Sequence, residues 1–166
     1  MTDNADFNDW IRPHMGALMR IARAFAEPAD QHDLMQELMI STWKAMPAFR
    51  GDAASSTFIY RVAHNRALTW KKRHNLNLFR AHTAHADMAV LNDGSSDGAL
   101  ARLDALYAAL RQLSPIDRSL MLLWLEETSY ADMAALHGLT ETNIGARLTH
   151  ARTRLSALMQ ETSDEY

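Results

Sequence analysis

Residues Ser56 to Arg73 read STFIYRVAHNRALTWKKR, and the chain is best understood outward from this stretch. At helical period Ile59, Val62, Ala63, Ala67 and Trp70 fall on one stripe, the face that a helix buries. Tyr60, Arg61, His64, Asn65, Lys71 and Lys72 lie beside that stripe or opposite it. From Arg61 to Arg80 there are six Lys or Arg and no Asp or Glu, in a chain whose formal charge is −3. Such a surface offers cations for phosphates, an amide for a base edge and a ring that can stack on an unpaired base. A solvated basic helix face is the competing reading of this segment taken alone.

The residues before it read as helices and one loop. Ile11, Met15, Leu18, Met19, Ile21, Ala22 and Phe25 recur at three- and four-residue steps and predict an amphipathic helix from about Phe7 to Phe25. Pro13 fits its first turns if the helix starts near Trp10, and Glu27-Pro28 ends it. Asp30 is placed to cap a second helix, DLMQELMISTWKAM. This helix buries Leu34, Leu38, Met35 or Met39, and Trp43, and shows Asp33, Gln36, Glu37 and Lys44 on its other face. PAFRGDAA, Pro47 to Ala54, holds Pro47, Gly51 and Asp52 and reads as a loop. It places Phe49 and Arg50 directly before the basic helix, which Ser55, Ser56 or Thr57 would cap.

After Asn75 the periodicity dissolves and the segment ends in NDGSSDG, the most turn-prone composition present, so a linker is placed at 76–98. Leu100, Leu103, Leu106, Tyr107, Leu110 and Leu113 then form an apolar face. Ser114-Pro115-Ile116-Asp117 starts a further helix with a cap, a first-turn proline and an acid. Its core side is Ile116, Leu120, Leu123 and Trp124.

From Ser129 onward the spacing is that of a helix-turn-helix, which needs a small residue at the helix crossing, a turn residue tolerant of positive φ, and an apolar anchor on the second helix. Ala134, Gly138 and Ile144 meet those needs, and Thr140 caps the second helix. No Asp or Glu lies between Thr142 and Gln160, whereas Arg147, His150, Arg152 and Arg154 do. In a major-groove dock Glu141, Asn143 and Arg147 would approach bases, and Arg152 or Arg154 phosphates.

Bulk composition narrows the classes. A hydrophobic content of 48% with 22% charged residues suits a globular chain. There is no apolar run long enough to span a bilayer, so no membrane insertion is expected, and the polar start MTDNADFNDW does not read as a signal sequence. A cytoplasmic location is expected. The absence of cysteine excludes disulfides and thiolate metal sites. The eight histidines show no rigid clustering, so no metal is predicted. Neither a phosphate-binding glycine loop nor a nucleophile-base motif points to an enzyme or a cofactor.

Taken in order, Asp33-Leu34-Met35-Gln36-Glu37, Phe49-Arg50-Gly51-Asp52, Ser56-Thr57-Phe58 and Tyr60-Arg61-Val62-Ala63-His64-Asn65 resemble the second conserved region of extracytoplasmic-function (ECF) RNA polymerase sigma factors. Leu113-Ser114-Pro115 with Arg118, Tyr130 to Leu136, and the helix through Arg147-Leu148 and Ala151-Arg152 resemble the family's fourth region. The resemblance covers nearly all of the chain except the linker and the ends. It implies an all-α fold of two small helical domains, 1–75 and 99–160, joined by a flexible linker at 76–98, the second domain containing the helix-turn-helix. It further implies two constant partners, core RNA polymerase and promoter DNA, with an anti-sigma factor as a third in many members.

By the same resemblance Asp33, Leu34, Gln36 and Glu37 would dock on core polymerase. Phe49, Arg50, Ser56, Thr57, Tyr60, Arg61, His64, Asn65, Lys71 and Lys72 would read and open the minus-ten element. Thr140, Glu141, Asn143, Arg147, His150, Arg152 and Arg154 would read the minus-thirty-five duplex. Phe58 stands where the family usually has Trp, Ser55 where an aromatic or bulky residue is frequent, and Gly145-Ala146 where many members carry Lys-Ser. The alternative, a stand-alone helix-turn-helix regulator of duplex operators, accounts for Ser129 to Leu155 and leaves Asp33 to Arg73 without a role.

Overall fold

The structure, a computed structural model, describes residues 2–81 and 98–164; residues 82–97, which hold most of the segment read as a linker, lie outside them. Every regular element among the described residues is a helix or a single 3-10 turn. The helix expected over Phe7 to Phe25 is two helices, α1 Thr2–Ile11 and α2 Met15–Phe25, separated by a 3-10 turn at Arg12–His14. Pro13 explains the break: it has no N–H to donate and its ring crowds the carbonyl one turn back. The rest of the N-terminal half is α3 Gln31–Ala45 and α4 Ser55–Ala81. Residues 76–81, expected to open the linker, thus continue α4.

The C-terminal half holds α5 Gly98–Arg111, α6 Pro115–Leu125, α7 Tyr130–His137 and α8 Glu141–Asp164. Its helix starts follow local chemistry. Ser114 accepts from the Asp117 N–H at 3.3 Å, Ser129 from Asp132 at 3.1 Å and Thr140 from Asn143 at 3.2 Å. Between α7 and α8, Gly138 takes the left-handed conformation (φ 64°, ψ 34°), and the Leu139 N–H closes the turn on the Ala134 carbonyl at 3.0 Å. With Ile144 fully buried, this is the helix-turn-helix that the spacing predicts. Asp30, by contrast, occupies the cap position of α3 without a side-chain cap bond. Its carboxylate instead lies 3.6 Å from His74 Nε2 at the far end of α4.

Phe25, Leu18, Leu34, Leu38 and Ile59 fill the first core, and Leu110, Leu120, Leu123, Met133, Ile144 and Leu148 the second. Several large residues assigned to apolar faces are instead substantially exposed: Trp43 at 45%, Trp124 at 39% and Leu100 at 56%, with Met15, Met19 and Leu103 also at the surface. Thr42 takes the inward position on α3, its hydroxyl donating to the Leu38 carbonyl at 2.7 Å.

The two cores are joined, since α2 packs against α5 and α6, and α4 against α6. Arg118 is the tie. It is 2% exposed and donates to the carbonyls of Leu110 (3.0 Å), Arg111 (2.6 Å) and Leu113 (2.9 Å), in the last turn of α5 and the residues just after it. The same guanidinium sits 5.1 Å from the ring centre of Phe25 in the other half. Burial and the neighbouring Arg111 lower its pKa to about 10, so it is still charged near neutral pH. Around it, Arg23 stacks 4.2 Å from the Tyr107 ring centre and pairs with Asp104 at 3.0 Å. Arg111 donates to the Arg23 carbonyl at 2.8 Å.

Candidate nucleic-acid interface

Helix α4 has three faces rather than two. Ile59, Ala63 and Ala67 are fully buried, on the side packed against α2 and α3. Tyr60, His64 and Lys71, at steps of four and seven residues, form a second stripe turned toward the C-terminal half. The Tyr60 hydroxyl donates to Glu126 at 3.2 Å, and His64 Nδ1 lies 2.7 Å from the buried Ser119 hydroxyl. Lys71 sits among Arg118, Arg111, Glu27 and Asp30; burial first, then Arg118, lowers its pKa. Arg61, Asn65 and Lys72, also at steps of four and seven, form the third face and stay exposed.

The strand-reading set named from the sequence is therefore divided. His64, assigned to that surface, is 1% exposed and bonded to the other half. The reason is that a single-stripe reading assigns a helix one buried side, whereas α4 is packed on two.

Before α4, Phe49 is half-buried in an aromatic cluster, with ring centres 5.7 Å from Trp10 and 5.2 Å from Phe58; Trp10 is itself 6.1 Å from Phe58. Arg61 extends this cluster, its guanidinium 5.6 Å from the Phe58 ring centre. Arg50 is exposed, and Ser56 and Thr57 are half-buried. Sequence reading missed Trp10 here, taking it only as the start of a helix; the aromatic spacing that joins it to Phe49 and Phe58 is tertiary.

On α3 the residues assigned to polymerase docking also separate. Leu34 is fully buried in the core and corrects its assignment as a contact residue. Asp33 and Gln36 are exposed, and Glu37 pairs with Arg66 of α4. At 3.6 residues per turn Ile40, Trp43 and Lys44 lie on the same outward face as these three. Ile40 is 51% exposed and Trp43 45%, and a groove of about 300 Å³ is lined by Glu37, Ile40, Ser41, Lys44 and Arg66. An exposed Trp beside an exposed Ile, ringed by charge, is the composition of a binding hot spot. The sequence signal was present: Trp43 is nine positions after Leu34, half a turn out of phase with the Leu34-Leu38 stripe.

On α8 the cations fall on two flanks of the buried Ile144-Leu148-Ala151 stripe. Asn143, Arg147, His150 and Arg154 share one flank, where their three- and four-residue steps place them in line. Arg152 lies on the other, stacked 5.2 Å from the Trp124 ring centre. Thr140, Glu141, Asn143, His150, Arg152 and Arg154 are exposed, whereas Arg147 is half-buried and bonded to Asp117 at 2.8 Å. That bond fixes the guanidinium beside the α6 start. Gly145 meets the Tyr130 ring, which would stand 3.5 Å from an added Cβ.

An all-helical chain with a basic, aromatic-flanked helix in one half and a cation-lined helix-turn-helix in the other defines a DNA-binding protein of the promoter-reading type. Comparison with known families agrees: residues 10–76 match Sigma-70 region 2 and residues 103–155 match Sigma-70, region 4. The chain belongs to the sigma-70 family of RNA polymerase sigma factors, in its ECF branch.

It is 27% identical over 160 residues to the ECF RNA polymerase sigma factor SigM of Mycobacterium tuberculosis, covering 95% of this chain and 79% of that one. It is 29% identical over 170 residues to the RNA polymerase sigma factor CnrH of Cupriavidus metallidurans, covering 96% and 89%. Its fold is similar to that of the sigma factor RpoE of Bartonella quintana, solved with the anti-sigma factor NepR (TM-score 0.74, 21% identity, 93% and 97% covered). It is also similar to CnrH solved with the cytosolic domain of CnrY (TM-score 0.63, 21% identity, 95% and 90% covered).

Proposed function

We propose that this sigma factor works through three surfaces of its own residues. The exposed α3 face of Asp33, Gln36, Glu37, Ile40 and Trp43 docks on core polymerase. The Asn143-Arg147-His150-Arg154 flank of α8, with Thr140 and Glu141 at its start, reads the minus-thirty-five duplex. The open face of α4 and the loop before it read and open the minus-ten element. The observation that carries this reading is the coexistence, in one chain, of an exposed Arg61-Asn65-Lys72 face beside the Trp10-Phe49-Phe58 cluster and a separate cation-lined helix-turn-helix.

Strand opening then needs no covalent step. Unstacking a base costs a few kcal/mol, and binding of the single strand offsets it through stacking worth about 1–3 kcal/mol per base together with phosphate contacts. Thr57, Arg61 and Asn65 supply polar contacts to exposed bases, and Arg50 and Lys72 lie where a backbone can follow. The polymerase makes the RNA, so the sigma factor contributes recognition and strand separation, in the cytoplasm where the polymerase works. One solved neighbour carries the anti-sigma factor NepR and the other the cytosolic domain of CnrY, and an anti-sigma partner is part of this proposal.

The test is transcription by core polymerase supplemented with the purified chain, with the 5′ ends of the RNA sequenced. Start sites that share one upstream sequence pair are the expected result. Initiation no different from core polymerase alone would refute the proposal.

A further inference from the structure

The seam between the halves contains a buried polar relay that the promoter-reading surfaces do not explain. Ser119 is fully buried, and its hydroxyl lies 2.7 Å from His64 Nδ1 and 3.0 Å from His137 Nε2. It therefore links α4 of one half to α6 and α7 of the other. A hydroxyl carries one proton and donates to one ring, so the second ring must donate to the oxygen. Two neutral imidazoles, one presenting N and the other N–H, satisfy this arrangement completely.

Two imidazolium rings do not. We propose that His64, Ser119 and His137 form a latch that holds the helix-turn-helix half over α4 and that protonation opens.

The charged groups on the elements packed around the relay are engaged elsewhere. From α6 come Asp117, already bonded to Arg147 of α8, and Arg118, committed to the α5 carbonyls. At one end of the seam lie Glu126, bonded to Tyr60 and paired with Arg20 of α2, and His14, whose ring is edge-on to Tyr60. From α3, Glu37 is paired with Arg66. From α7 comes His137 itself, with Asp132 lining the crevice beside Arg61. Among the described residues no carboxylate bonds either relay histidine, so nothing nearby stabilises a positive ring.

Burial, then the neighbouring His137, lowers the His64 pKa to about 3; burial, then Arg147, lowers that of His137. Opening returns both rings toward the ordinary value of about 6.5. Because the closed-state pKa values are the lower ones, the closed form has its full stability above about pH 6.5 and loses it as pH falls below that. From pH 7.5 to 5.5 the opening equilibrium should rise about tenfold for His64, and by up to about a hundredfold if His137 titrates fully with it.

The latch covers residues of consequence. Thr57, Tyr60 and Arg61 line a crevice of about 60 Å³ whose far wall is Leu123, Thr128, Asp132, Ala135 and Leu136. Opening would uncover Thr57 and Tyr60 together with His64, beside the already exposed Arg61. That they then meet single-stranded DNA rests on the function proposed above; the latch itself does not.

The chain has no cysteine, so Ala29→Cys with Ser156→Cys admits a fluorophore pair whose energy transfer reports the distance between the halves. Lower transfer at pH 5.5 than at 7.5, with unchanged helicity by circular dichroism, is the expected result. His64→Asn with His137→Gln keeps an amide at each bonding atom and cannot become charged, and should abolish the change. Ser119→Ala should open the chain already at pH 7.5, which keeps the test decisive should the double variant misfold.

No change of transfer in the parent, helix loss in step with it, an undiminished change in the folded double variant, or unaltered transfer in Ser119→Ala would each overturn the latch. Opening with no gain in binding of single-stranded minus-ten DNA would leave the latch standing and count against the role given to α4.

Discussion

Helices α4 and α8 carry the same sequence signal, a long helix with a basic flank and a long acid-free stretch, the whole of α4 and residues 143–159 of α8, yet the fold treats them differently. α8 is packed on one side, and its cations remain at the surface except for Arg147. α4 is packed on two, so Tyr60, His64 and Lys71 are drawn into the seam while Arg61, Asn65 and Lys72 stay outside. A charge pattern locates a candidate binding helix. How much of that helix is available is decided by what else the chain folds against it.

The strongest way to break the contrast is to remove the tie that brings α6 onto α4. Arg118→Leu leaves three carbonyls without their charged donor, and a loss of roughly 3 kcal/mol or more is expected in urea denaturation. Trp43→Ala separates docking from folding: about 2 kcal/mol of core-polymerase affinity should go, read by titration with labelled polymerase, while the melting temperature hardly moves because the ring is already exposed. Asn143→Ala should cost about 1–3 kcal/mol of discrimination among minus-thirty-five duplexes in competition binding. Arg154→Ala should weaken all duplexes evenly and lower the salt slope by about one. The smallest effect sharpens the comparison from the α8 side. Gly145→Ala, with room against Tyr130, should raise stability by up to about 1 kcal/mol in thermal denaturation.

Local chemistry was the legible part of the fold. Ser114, Ser129 and Thr140 cap where their spacing says, and Gly138 takes the positive φ its position requires, because these are contacts within a few residues. Asp30 departs from that rule: it makes no cap bond, and its carboxylate lies 3.6 Å from His74 of α4. The candidate site was legible as two helices, a loop and a docking segment, and individual residues were misplaced where a helix packs on a second side, as at His64, or where helix phase was misjudged, as at Trp43. His64 was assigned outward and is buried; Leu34 is buried as its period predicts, against its place in the docking set that the resemblance implied; Trp43 and Trp124 were assigned inward and are exposed. Trp10 joins Phe49 and Phe58 across 39 and 48 residues of chain, distances over which no sequence period connects them.

The sequence by itself determined the all-helical class, the helix-turn-helix, the order of the two conserved regions and the basic character of α4 and α8. Each is a local property of propensity, capping or charge spacing. Only the tertiary structure decided which face of α4 stays open, that Arg118 caps one helix while bridging both cores, and that His64 meets Ser119 and His137. Those outcomes depend on surfaces brought together from distant parts of the chain, where burial sets both the packing and the protonation state.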